Sequence, residues 1–291
     1  VESNKFGRQY FISVVELSTG KSITKTIGLP FTCKFALNRT WGKMAGNGTI
    51  QIYNLNKDTR SFLRKDSTSL GATHWVSITA GYGNEVSTLM EGGLQVGSSI
   101  RQGVDYITTL QIADLTGAYR NATFSQAFKQ GTSVGTIIKT IAKGLEEYGI
   151  KLGVVSRSIT GKSKRGTSLS GKAIDILDEM VGGQYFVDNG VLNVVSDDEY
   201  LDGFTLLVNS RYGLLGKPRR EGQNIVINLI LEPRAYVGQK AIIKIENDDD
   251  DYNGNYYVRS ITHTGTISEA IGESATTELY LTPNKFGKKA L

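Results

Sequence analysis

Gly48–Leu55 reads GTIQIYNL, with Ile50 and Ile52 on one side of the chain and Gln51 and Tyr53 on the other. Successive side chains leave a strand on opposite faces, so this two-residue period predicts a half-buried β-strand. The same period extends outward. Upstream, Tyr10, Ile12 and Val14 alternate with Phe11, Ser13 and Val15, and Phe31, Cys33, Phe35 and Leu37 alternate with Thr32, Lys34 and Ala36. Downstream come Trp75–Ala80, Glu85–Met90, Leu94–Ile100 and Tyr106–Ala113, separated by Gly81, Gly83, Gly92, Gly93 and Gly103. Only Asn54–Asp66 departs, where Leu55, Thr59, Phe62 and Leu63 are spaced for one short helical face. Short strands at regular intervals with glycine turns predict a β-barrel or sandwich that ends near Gly117.

The middle of the chain changes period. After Thr132 and Ser133, which can cap a helix, Val134, Ile137, Ile138, Ile141, Ala142 and Leu145 fall on one helical stripe, and Gly149 is placed to end it. Lys151–Val155 is a strand and Ser156–Thr167 a polar loop. A second helix follows Ser170, with Ala173, Ile174, Leu177 and Val181 on one face, and stops at Gly182 and Gly183. Asp188-Asn189-Gly190 joins two short strands, because Asn-Gly supplies the positive φ angles of a tight hairpin. Strand periods then return over Phe204–Val208, Asn224–Leu231, Ala241–Glu246, Tyr256–His263 and Thr277–Leu281. The expectation is a mainly β (α+β) protein: a first β-barrel domain over residues 1–117, an α/β middle domain over 118–200, and a second β-barrel over 201–291. The middle unit is small for independent folding and is expected to pack on a neighbour.

Composition agrees with a folded, turn-rich chain. There are 34 glycines against 4 prolines, and charged residues make up 21%, which excludes a disordered chain. A single cysteine, Cys33, excludes an intrachain disulfide and suits a reducing compartment; in the apolar run Phe31–Leu37 it is a buried strand residue rather than a nucleophile. The N-terminal stretch lacks the apolar core of a signal peptide, and no run approaches the roughly 18 apolar residues of a membrane span. The net charge of +5 is modest, and its clusters (Lys162 to Arg165, Arg219-Arg220, Lys288-Lys289) lack the interleaved aromatics of a nucleic-acid stripe. They are expected to be solvated loops or protein contacts.

Candidate chemistry is sparse. Asp249-x-Asp251-x-Asn253-Gly254 matches the first half of a calcium loop, but the twelfth position, where a glutamate is required, is Ser260, and the flanks are strand-like. A hairpin turn at Asn253-Gly254, with the acidic tract as its solvated tip, is sufficient to explain it. Gly161-Lys162-Ser163 has Ser156 where a phosphate loop needs its first glycine. His74 and His263 have no second ligand at zinc spacing, and no nucleophile elbow supports a triad. Asp197, Asp198 and Asp202 are acids around a turn, whereas glycosidic cleavage needs two carboxylates facing across a cleft. No catalytic, cofactor-binding or metal-binding residue is assigned, and no cofactor is expected.

The pieces in order match a family. NGTIQIYNLNKDTRSFL, ITAGYG, MEGGLQ and GVDYITTLQIADL lie in the first unit, and GTSVGTIIKTIAK, GTSLSGKAIDILDEM and DNGVLNV in the middle. LLGKPRREG, NLILEPRAYVGQKAIIKI, GNYYVRSITHTG and TTELYL follow. From about Phe31 to Leu281 the chain resembles the baseplate hub proteins of contractile-tailed bacteriophages. That resemblance implies two tail-tube-like β-barrels per subunit and a homotrimer whose six barrels continue a hexameric tail tube above a trimeric central spike. The implied partners are a second copy of the chain, the tail tube protein, the central spike protein and other baseplate proteins, with no membrane, and with DNA only passing through the lumen. The implied place is the virion tail, after synthesis in the host bacterial cytoplasm. The family has no catalytic residues to carry over, and the acidic tip Asp248–Asp251 departs from it. Two other readings stand beside this one: an adaptor of a non-contractile tail or injection machine, and a cell-wall glycan hydrolase using Asp197 or Asp202.

Overall fold

The computed structural model describes residues 6–16, 22–44, 46–65, 74–114, 116–245, 250–269, 274–283 and 288–289. The first part of the chain forms β1 (Arg8–Glu16), β2 (Thr24–Gly28), β3 (Cys33–Thr40), β4 (Asn47–Tyr53), α1 (Lys57–Phe62), β5 (His74–Tyr82), β6 (Glu85–Gln102) and β7 (Asp105–Ala113). The strands pair in the order β2-β1-β5-β6-β7-β4-β3, every neighbour antiparallel. The alternation read from the sequence is the inward face: Tyr10, Ile12, Val14, Cys33, Phe35, Leu37, Ile50 and Ile52 share one core. The short helix also stands as expected. Asn56 caps α1 by accepting the Thr59 N–H at 2.8 Å, and Leu55 and Leu63 at its ends are buried.

One expected break is absent. Glu85–Met90 and Leu94–Ile100 are parts of one 18-residue strand, β6, with Gly92 and Gly93 inside it. A Cβ on Gly92 would come within 2.6 Å of the Ala113 carbonyl oxygen, so this glycine permits close strand approach rather than a turn. The turns are made at Gly83 and Gly103, whose φ angles are +54° and +64°.

The middle holds α2 (Thr116–Asn121), β8 (Thr123–Phe128), α3 (Val134–Leu145), β9 (Lys151–Val155), β10 (Thr167–Lys172), α4 (Ala173–Val181), β11 (Tyr185–Asp188) and β12 (Val191–Val194). Ser133 caps α3 by accepting the Thr136 N–H, and Gly149 closes the following single 3-10 turn with φ +80°. Helix α3 buries Ile137, Ile138, Ile141, Ala142 and Leu145 against α4, β9 and the β11–β12 hairpin, inside the subunit. The hairpin turns on Asn189 and Gly190, both at positive φ. The β8–β10 ribbon was not legible, because Thr123–Phe128 and Thr167–Lys172 are largely exposed and carry almost no apolar alternation.

The last part forms β13 (Glu199–Val208), β14 (Leu214–Glu221), β15 (Asn224–Ile230), β16 (Gln239–Ile243), β17 (Gly254–Ile267), β18 (Ala275–Pro283) and β19 (Lys288–Lys289). The order β14-β15-β18-β17 is antiparallel, while β13 runs parallel to β16 and to β19. Strand β17 unites the molecule. One edge pairs with β18 along its length; the other pairs with β16 over residues 254–257 and then with β3 over residues 260–267. The protein is therefore mostly β, and the first and last β units are parts of one hydrogen-bonded sheet. That sheet runs as a path from β2 to β14, and the first core includes Leu231, Ile267 and Ala275 from the last part of the chain. Among the described residues no helix is long and apolar enough to cross a membrane.

Candidate functional site

The C-terminal end of β3 touches every part of the molecule. Arg39, buried in that strand, places Nη1 2.9 Å from Asp188 Oδ1 on β11 and donates Nη2 to the Ala235 carbonyl at 2.6 Å. Its Nη2 also lies 3.4 Å from His263 Nε2 on β17. Arginine only donates, so Nε2 is the acceptor and Nδ1 carries the proton, aimed at Thr277 Oγ1 2.9 Å away. Thr277 Oγ1 accepts the Glu232 N–H in turn, and Asp188 Oδ2 accepts the Val237 N–H at 3.0 Å. Burial, and then the neighbouring guanidinium, hold His263 well below the usual imidazole range, so it is neutral. Two residues on, the Trp41 ring packs tilted by 40° against Phe186 with centroids 4.6 Å apart, and the Arg259 guanidinium lies 4.2 Å above it. The Trp41 indole N–H donates to the Gly183 carbonyl, and the backbone N–H groups of Trp41 and Gly42 donate to Arg259 and Tyr185.

Asp114, which follows β7, is the unusual member of this neighbourhood. It is 4% exposed, and no hydrogen bond of good geometry reaches either carboxylate oxygen. Its pKa is pushed up to about 8, first by burial and then by the negative Asp188, with the Gly46 backbone N–H and then Arg39 pulling the other way. A buried carboxyl in that state is neutral at neutral pH.

The residues weighed for chemistry are dispersed. Cys33 is fully buried, and burial pushes its thiol up, away from the reactive thiolate. His74, on β5, has its ring edge-on to Phe62 and its pKa lowered, chiefly by burial. Asp197 is an exposed partner of Arg259 at 2.7 Å, Asp198 accepts from Ser196, and Asp202 is exposed on β13. In the calcium-like motif, Asp249 lies outside the described residues, as does Asp248 of the acidic tip. The Asn253 side chain is committed to the backbone of Ile245, donating to its carbonyl and accepting its N–H. Neither Asn253 nor Gly254 has positive φ, so the expected Asn-Gly turn is replaced by this amide clasp at the start of β17. Gly161-Lys162-Ser163 leads toward a strand, β10, rather than a helix. Among the described residues no cluster of three or more His, Cys, Asp or Glu is placed to hold a metal ion. Sequence reasoning missed the Arg39–Asp188–His263 centre, whose members are up to 224 residues apart along the chain.

Comparison with solved structures gives the same architecture. The chain is similar to a tail protein from Neisseria meningitidis MC58, with a TM-score of 0.59 at 11% identity, covering 95% of this chain and 96% of that one. It is similar to the 43 kDa tail protein of prophage MuSo2 from Shewanella oneidensis, with a TM-score of 0.56 at 10% identity over 94% and 97% of the two chains. The E. coli c3393 protein, a component of the type VI secretion system, aligns with a TM-score of 0.55 at 8% identity over 87% of this chain and 74% of that one. At such identities these likenesses describe the fold alone. No curated protein sequence matches the chain. The family described as Baseplate hub gp41, however, matches residues 14–266, which run from β1 through nearly all of β17. That span takes in the bridging strand and the buried Arg39 centre, and by it the chain belongs to the Baseplate hub gp41 family.

Proposed function

We propose that this structural tail protein is the trimeric hub of a contractile-tail baseplate, joining a hexameric tail tube to a trimeric central spike and carrying no catalytic activity. The carrying observation is the pairing of β17 with β3, which joins two β units of one chain into a single hydrogen-bonded sheet. Three such subunits would present six β units around a threefold axis, and a closed ring of this kind needs heterologous contacts whose rotation closes. The proposed units are residues 1–117, 118–200 and 201–291, tied together at Arg39. The partners are the tube protein, the spike protein and other baseplate proteins, with DNA passing through the lumen. Assembly follows synthesis in the host cytoplasm.

The shared fold with a type VI secretion component supports a second reading, an adaptor of an injection machine or non-contractile tail. Immunogold labelling of the chain on purified particles separates the two. Label at the capsid-distal end of contractile tails is expected, and label on non-contractile tails or on none would overturn the hub reading. A glycan hydrolase would instead turn over peptidoglycan and lose that activity in Asp197→Asn or Asp202→Asn.

A further inference from the structure

A cleft of about 690 Å³ lies between the first β unit and the middle unit. Trp75 and Glu91 line one wall, Glu146, Glu147 and Tyr148 the other, and Asp114 is among its residues. The walls are fixed by a strut: Asn189 Oδ1 accepts the Glu91 N–H at 3.0 Å. Three glutamates, Glu91, Glu146 and Glu147, meet there against Lys151 in a chain whose net charge is +5, so the cleft runs against the charge of the molecule that carries it.

The same chain carries a matching cation. Lys162, Lys164 and Arg165 are exposed on the loop between β9 and β10. The loop is braced rather than loose. The Ser163 N–H donates to the Thr132 carbonyl at 2.9 Å, the Gly131 N–H donates to the Ser163 carbonyl at 2.8 Å, and the Val134 N–H donates to the Gly161 carbonyl at 3.0 Å. These bonds pin it to the N-terminal end of α3, whereas Glu146–Tyr148 follow its C-terminal end directly. A helix of this length separates its ends by about 18 Å, so the loop is held away from the cleft of its own subunit. A basic projection at one end and an acidic recess at the other form a head-to-tail pair, the geometry of a heterologous interface.

We infer that the cleft between Trp75 and Tyr148 receives the Lys162–Arg165 loop of an adjacent copy of this chain. The inference rests on the trimer proposed above and names one contact that closes it. Opposite charges on the two surfaces orient the encounter, and the aromatic walls supply faces for the aliphatic and guanidinium parts of the incoming side chains.

Three full-length variants test it by light scattering at physiological salt. Glu146→Lys/Glu147→Lys reverses the cleft, Lys162→Glu/Lys164→Glu/Arg165→Glu reverses the loop, and the third combines all five changes. Each reversal alone should raise the dissociation constant of the oligomer by at least about tenfold, and the combination, which restores opposite signs, should recover assembly. A cleft variant that keeps the wild-type mass, or a combined variant as dissociated as the single reversals, overturns the contact while leaving the trimer intact. A wild-type chain that stays monomeric overturns the isolated trimer instead. A labelled peptide of residues 157–167 then tests the cleft directly. Binding weakened about tenfold by Glu146→Gln/Glu147→Gln supports the contact, and absent or unaltered binding overturns it.

Discussion

Arg39 Nη1 lies 2.9 Å from Asp188 Oδ1, joining β3 of the first β unit to β11 of the middle unit with both side chains buried. The remaining partners, the Ala235 carbonyl, the Val237 N–H and His263, come from the last part of the chain. A single ion pair therefore sits where all three parts meet.

Removing one member of a buried pair leaves the other charge without compensation, which costs about 3–5 kcal/mol. Asp188→Ala should lower the urea midpoint accordingly. Arg39→Met/Asp188→Asn, which removes both charges with side chains of similar size and keeps an acceptor for the Val237 N–H, should lose much less. An Asp188→Ala protein that unfolds at the wild-type midpoint would show that the pair does not tie the units together.

The same centre sets a pH dependence. Asp114 has its pKa raised in the folded state, so folding retains a proton that the unfolded chain has released above about pH 4. Its contribution is present in full below that pH and is lost as pH rises toward 8, at about 1.4 kcal/mol per unit. His263 has the opposite sign: its folded pKa is depressed, so its contribution is present above about pH 6.5 and is lost on acidification. The two slopes oppose each other below pH 6.5, and the Asp114 slope stands alone from there to about 8. Asp114→Asn should abolish the loss between pH 6.5 and 8 and expose the acid-side loss from His263. Parallel pH profiles for wild type and Asp114→Asn, measured by denaturant unfolding, would contradict this.

Helix α3 offers two substitutions of opposite sign. Ile138 is fully buried in the middle core, so Ile138→Asp inserts an unpaired carboxylate among apolar side chains and should abolish soluble, folded protein. Gly135, on the same helix, has no atom within 4 Å of the position its Cβ would take. Gly135→Ala should stabilise by about 0.5–1 kcal/mol through helix propensity alone. Circular dichroism and thermal unfolding check both, and a folded Ile138→Asp protein would place this face outside the core.

Much of this fold was legible because its signals are local. Ile50 and Ile52 announce β4, Ser133 and Gly149 bracket α3 and its final turn, and Asn189-Gly190 marks its hairpin. The junction was not legible, for a physical reason. Asp188 stands in a turn motif and looks solvated, while Arg39 ends an ordinary strand; only the tertiary fold brings them together across 149 residues. The two partners sharing one edge of β17 were equally hidden, since local alternation reports which face of a strand is buried but not which strands lie beside it. Gly92 misled because a glycine needed for close strand approach and a glycine needed for a turn look alike in sequence.

The native mass of the purified chain, measured by light scattering over a range of concentrations, tests the hub account most directly. A species near three times 31.7 kDa is the predicted result. A monomer or a dimer at every concentration would contradict a trimeric hub that closes on its own surfaces.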